Sequence, residues 1–312
     1  MARLVDYLIS DVRVQTENED FSDSIGIGDN EVLRYINEAQ QRIQARIYAT
    51  YKNVFTEEKV ESIVADQEEY SLPADAFTGN AVSQVEFKSD SDEKNYYPLE
   101  LRSIKNRSVV SGHPDIYFRK NKKILISPVP ETSNGSLRIS YAKAVNKLDK
   151  RRGSIASVTD SGTQITAITL EVSTDSVDTD AVAKDNFLCV VDRAGNIKMK
   201  NIEYDSISGT TGVVTLTSNH TYESGESIAV GDYIVVGKYT STHSELPDHV
   251  ERYLMAYAAW KLLKRDSSAD YSEQELELST MEDEIVDTFA GIDDDVYQIP
   301  EINEDEMWFE LY

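Results

Sequence analysis

Between Gln67 and Tyr141 short extended segments alternate with prolines, and this punctuation restricts the region to a succession of brief strands. The segments read QEEYSLPADAF, NAVSQVEFK, YYPLE, GHPDIYF, KKILISPVP and SLRISYA. Leu137, Ile139 and Tyr141 are spaced by two and so share one face of a strand; Val82, Val85 and Phe87 lie in another run, Ile124 and Ile126 in a third. Proline has no N–H to give to a ladder, so Pro73, Pro98, Pro114, Pro128 and Pro130 mark strand edges or exits. Within the run, PLELRSIKNRSV offers one short helix.

Helical patterns flank these strands. Leu4, Val5, Leu8, Ile9 and Val12 recur at helical spacing until a polar stretch from Glu17 to Gly28 breaks the pattern. A second helix opens at Asp29, a suitable N-cap with Glu31 in the first turn, and carries Leu33, Ile36, Ala39, Ile43, Ile47 and Tyr51 as one stripe. Late in the chain Pro247 suits a first helical position, and Lys261, Lys264 and Arg265 complement the dipole in the last turns. Tyr253, Leu254, Tyr257 and Trp260 leave that helix little polar face, so it is expected to be a core helix, buried on most sides. Asp270 to Glu273 resembles a capping box, opening a last helix with Leu278, Met281, Ile285 and Phe289 on one stripe and Gly291 as its stop.

From Gly153 to about Lys238 the texture changes to Ser, Thr, Gly, Asp and Val, with six short strands separated by turn clusters such as Ser161-Gly162 and Ala194-Gly195-Asn196. Six strands at that spacing suggest a small antiparallel barrel or sandwich. The expected fold class is therefore α+β: a helical bundle core, a central β region and this inserted β domain. The expected division is 1–58 with 245–291 as helical core, 59–152 as β region, 153–244 as insertion, and 292–312 as an extended carboxy-terminal tail.

Taken in order, several of these pieces resemble the head-to-tail adaptor proteins of tailed bacteriophages, also called connector or head-completion proteins. They are Tyr35 to Ile43, Tyr70-Ser-Leu72-Pro73, Tyr97-Pro98-Leu99, Gly112-His-Pro114-x-x-Tyr117, Ile126-Ser-Pro128-Val-Pro130 and the helix from Leu246 to Lys264. No single piece is specific; their order and spacing carry the resemblance. It implies a structural ring subunit, usually twelve-fold, that joins the capsid portal protein to a tail or nozzle protein and extends the DNA channel. It places the chain in the virion neck, assembled in the host cytoplasm.

The net charge of −25 separates two ways of meeting nucleic acid. Binding to the phosphate backbone is driven by Lys and Arg displacing counterions, so the charge disfavours backbone contact over most of the surface and with it a sequence-specific DNA binder. Duplex DNA that only passes through a ring is compatible with acidic walls, and simple solubility accounts for the charge equally well. Against this background the stretch from Arg102 to Arg152 is a basic island, and within it Arg119, Lys120, Lys122 and Lys123 are candidates for a subunit contact with an acidic neighbour. A solvated face and a DNA contact are the other readings, the latter disfavoured because no aromatic residues interleave the charges.

The tail has no positive residue from Ile292 onward, yet carries Val296, Tyr297, Ile299, Trp308, Phe309, Leu311 and Tyr312. A solvating acidic tail is poor in aromatics, so these residues point to a segment that orders on a partner. The resemblance names that partner as the portal ring.

The sequence contains no pattern for an active site, a cofactor or a metal. His113, His220, His243 and His249 lack companions at zinc-ligand spacing, no phosphate loop or Gly-x-Ser-x-Gly elbow occurs, and Asp175, Asp178 and Asp180 depart from the calcium-loop pattern. Cys189, the one cysteine, sits in the apolar run NFLCVV as a small buried hydrophobe. The first twelve residues read as no signal peptide, and no membrane partner is expected. Two alternative functions stand beside the adaptor reading: a tail-associated polysaccharide hydrolase with paired carboxylates, disfavoured by only two tryptophans and no long repetitive β region, and a tail-tube or tail-completion subunit, disfavoured by the helical ends.

Overall fold

The computed structural model describes residues 3–16, 28–77, 81–90, 94–104, 111–172, 186–223, 225–266 and 271–290. The chain forms two compact units, one of Arg46–Leu72, Gly79–Ala142 and Asp283–Tyr312, the other of Met1–Ala45, Pro73–Thr78 and Lys143–Glu282.

Among the described residues the first unit holds eight strands: β1 (Thr56–Ser62), β2 (Glu69–Ser71), β3 (Val82–Lys88), β4 (Tyr97–Pro98), β5 (Glu100–Leu101), β6 (Ile116–Lys120), β7 (Lys123–Ser127) and β8 (Ser136–Ala142). They pair as two four-stranded sheets, β1-β8-β3-β4 and β2-β7-β6-β5, antiparallel except for β5 with β6. Leu137, Ile139 and Tyr141 are buried together along β8, as their spacing demands. On β3 the buried set is Val82, Val85 and Phe87, and the three-residue step is made possible by a bulge: the register shifts between Val82 and Gln84, which returns Val82 to the inner face. β6 and β7 form a hairpin across Asn121-Lys122, where Asn121 takes φ +53°, a conformation that asparagine tolerates better than most residues. Pro98 lies on the edge strand β4, and Pro128 follows β7 through a cis peptide bond. The expected short helix over PLELRSIKNRSV is not formed at its start, where Pro98 and Glu100–Leu101 lie in β4 and β5.

Among the described residues the second unit contains nine strands: β9 (Lys147–Leu148), β10 (Gly153–Asp160), β11 (Gln164–Leu170), β12 (Phe187–Val191), β13 (Ile197–Ile207), β14 (Val213–Leu216), β15 (His220–Thr221), β16 (Tyr233–Val236) and β17 (Thr240–Ser241). Six of them close a barrel in the order β10-β16-β12-β13-β14-β11 and back to β10, with β15 outside on β11. Of the two architectures open to the sequence, the chain adopts the barrel. Two strands turn its corners. β10 pairs with β16 through Gly153 and Ser154 and then with β11, while β13 pairs with β12 and then with β14 from Tyr204 onward. Both carry register shifts at the bend, after Ile155 and after Tyr204. The interior is filled by Ile155, Ile168, Leu188, Met199, Ile202 and Ile234, among others.

The barrel's two ends lie side by side, because β9 leads the chain in, β17 leads it out, and the two pair in parallel. Beside them Arg152 and Asp149 form a buried bidentate pair (Nη2–Oδ1 2.7 Å, Nε–Oδ2 3.0 Å), and Asp149 also accepts the Val236 N–H. A buried pair is tolerated only with its remaining groups satisfied, as Asn30 does for Arg152. Cys189 is fully buried on the outer side of β12 with Val191 and Val235, and burial pushes its thiol pKa up.

Four helices are described: α1 (Val5–Gln15), α2 (Asp29–Thr50), α3 (Val250–Asp266) and α4 (Ser272–Thr288). The class is α+β, but a helical bundle core is not evident. The physical reason lies on α2, where Asn37, Gln40 and Gln44 recur at helical spacing and bind the extended segment 143–148. Their amides donate to the carbonyls of Leu148, Asn146 and Lys143, and Asn37 and Gln44 accept from the N–H groups of Leu148 and Val145. A helix face occupied in this way pairs with a strand rather than with another helix. Asp29, expected as a cap, is the first residue of α2 and binds Arg13 and Lys150; burial raises its carboxyl pKa, and these cations more than reverse that. α3 begins at Val250, three residues after Pro247.

Candidate interaction surfaces

Among the described residues the basic island is largely neutralised within the fold. At the β6–β7 hairpin Lys120 and Lys123 grip the carboxylate of Glu69 from both oxygens, at 3.0 and 2.6 Å, and hold its pKa down to about 2. Arg119 donates to the Val82 carbonyl, so only Lys122 of the predicted quartet is an exposed cation without a partner among the described residues. Elsewhere Arg102 pairs with Glu100, Arg138 with Glu86, Lys143 with Glu245 and Arg151 with Asp6. A run of like charges in sequence becomes a set of cross-strand and inter-segment pairs in space.

The core helix carries a second constellation. Tyr253, Leu254 and Tyr257 are buried, whereas Trp260 is only partly covered. The reason is its neighbours: one side packs on Tyr257, with ring centroids 5.5 Å apart, and the Lys264 ammonium lies 4.8 Å from the ring. Nearby the Glu282 side chain is sealed from solvent, accepting from Tyr253 Oη at 2.7 Å and pairing with Arg42 Nε at 2.7 Å. Burial, and then the hydrogen bond to Glu282, raise the Tyr253 phenol pKa well above its usual range. One carboxylate thereby joins α2, α3 and α4.

A cavity of about 600 Å³ opens between Gln41 and Gln44 of α2, residues 74–77, residues 144–147 and the Lys238-Tyr239 turn. Its walls are held by backbone and amide hydrogen bonds: Ala144 N–H to Asp75 O, Lys147 N–H to Tyr239 O, and the Gln44 pair already described. Phe77, Val145 and Tyr239 give it an apolar surface, and Lys147 and Lys238 are exposed beside it. Nothing in the sequence pattern marked this site, because its parts come from four separate segments.

Among the described residues no group of three His, Cys, Asp or Glu side chains could hold a metal ion. His220 faces Glu226 at 3.2 Å, and His243 is hydrogen-bonded to Thr242, with burial lowering its pKa. No helix among the described residues is long and apolar enough to cross a membrane. Asp175, Asp178 and Asp180 lie outside the described residues, as do the predicted docking residues Val296, Tyr297, Ile299, Trp308, Phe309, Leu311 and Tyr312.

In a comparison with family models, residues 5–183 match the model described as SU10 adaptor protein. The match covers α1, α2, the strands β1 to β9, and β10 and β11 of the barrel, and it stops before α3, the late helix on which the sequence resemblance also drew. No curated protein matches the chain.

Proposed function

The chain belongs to the SU10 adaptor protein family, bacteriophage structural adaptors, and from that premise we propose that it is a non-enzymatic ring subunit of the phage neck. In this reading it joins the capsid portal to the tail, extends the channel through which DNA passes, and assembles in about twelve copies, as the resemblance implies. The family match over residues 5–183 is the observation that carries it. The acidic, aromatic-bearing tail supplies the portal-docking residues, and the β6–β7 hairpin, with Arg119, Lys120, Lys122 and Lys123, supplies a contact to the acidic neighbour. Because Lys120 and Lys123 already hold Glu69, Lys122→Glu is the clean probe of that contact.

Truncation at Ile292 tests the docking reading. The shortened chain is expected to keep its circular dichroism and melting behaviour and to lose co-sedimentation with portal particles. Undiminished co-sedimentation contradicts portal docking by the tail.

A further inference from the structure

The cavity beside Tyr239 has a polarity that complements one segment of this same chain. Its lining includes Phe77, Val145 and Tyr239, one carboxylate, Asp75, and Lys147 and Lys238, neither with an ion-pair partner among the described residues, the Lys238 ammonium lying 3.7 Å from the Phe187 ring. Residues 291–312 lie outside the described residues, and in them Asp293, Asp294 and Asp295 immediately precede Val296, Tyr297 and Ile299. A separate apolar group, Trp308 to Tyr312, follows after Glu301, Glu304, Asp305 and Glu306. Three carboxylates next to three apolar side chains complement two ammonium groups next to an apolar wall, and these two outnumber the one carboxylate, Asp75, on that lining.

Resting on the ring reading, we propose that this cavity seats residues 293–299 of a neighbouring copy, with the aspartates against Lys147 and Lys238 and with Tyr297 and Ile299 entering the apolar surface. The distal group, Trp308 to Tyr312, is then left for the portal. A volume of about 600 Å³ lies within the ~300–1,000 Å³ that holds a few large side chains. Fully extended at about 3.3 Å per residue, a segment of the length of Gly291 to Ile299 reaches at most roughly 30 Å. The contact is head-to-tail, and head-to-tail contacts repeat around a ring when the rotation per step closes. It also places opposite charges together in copies whose net charge of −25 otherwise makes them repel.

The experiment uses the full chain carrying Tyr297→Ala and Ile299→Ala, which leaves its own segment without anchors. A labelled peptide of residues 292–303 is titrated onto it by fluorescence anisotropy. Binding that weakens with salt is expected, with at least about a tenfold loss when Lys147→Glu and Lys238→Glu are added and recovery when the peptide carries Asp294→Lys and Asp295→Lys. A peptide of residues 304–312 is expected not to bind. Absence of binding by the first peptide, equal binding to the charge-reversed chain, or equal binding of a scrambled peptide of the same composition overturns the proposal. No portal is present, so these results leave the tail's separate role in portal co-sedimentation to its own assay.

Discussion

Glu282 shows what a single carboxylate does when α2, α3 and α4 converge on it. Glu282→Ala leaves the buried Tyr253 hydroxyl without its acceptor, and is expected to cost about 1–3 kcal/mol in denaturant unfolding, because Arg42 is half exposed and recovers its solvation. Glu282→Gln keeps an acceptor and is expected to cost less. Glu69 makes a different, pH-linked contribution. Its pKa is lowered in the folded chain, first by Lys123 and then by Lys120, so its stabilising effect is complete above the ordinary carboxylate range and is lost as pH falls toward about 2. A carbon-detected NMR titration of its carboxyl is expected to show that low midpoint, and Lys120→Gln with Lys123→Gln to return it toward the ordinary value. At this scale the sequence was a partial guide. Burial of Cys189 and Leu254 was legible from apolar context, whereas Trp260, apolar by the same criterion, is only partly covered, with the Lys264 ammonium against its ring.

Among the elements, the barrel strands were legible because alternation and turn residues are local. Closure was not legible, since it depends on β10 and β13 bending to serve two neighbours each. That bending leaves two narrow seams, β10 with β16 and β11 with β14, each joined by only two residue pairs. Hydrogen exchange read by mass spectrometry is expected to show faster exchange in peptides covering Val213–Leu216, which meets β11 through two residue pairs, than in those covering Phe187–Val191, which is joined to β13 and to β16 by four residue pairs each. Uniform protection around the barrel contradicts this. The α2 amides were hidden for another reason: Asn37, Gln40 and Gln44 look like a solvated helix face until residues 143–148 are brought against them. The cavity beside Tyr239 was hidden likewise, its walls being distant in sequence.

For the whole molecule, the net charge of −25 and the internal pairing of most cations between Arg102 and Arg152 leave a surface that favours partners with exposed cations and disfavours tight hold on phosphate. Membership of the adaptor family turns that surface into a structural question of where in the particle the chain sits. Imaging of purified phage particles by electron cryomicroscopy, with this chain marked by an antibody fragment, addresses the central claim most directly. A ring of density is expected at the junction of head and tail, about twelve copies around the channel, with the marker at that level. Location of the marker along the tail tube or at the tail tip, or a single unringed copy at the neck, would contradict it.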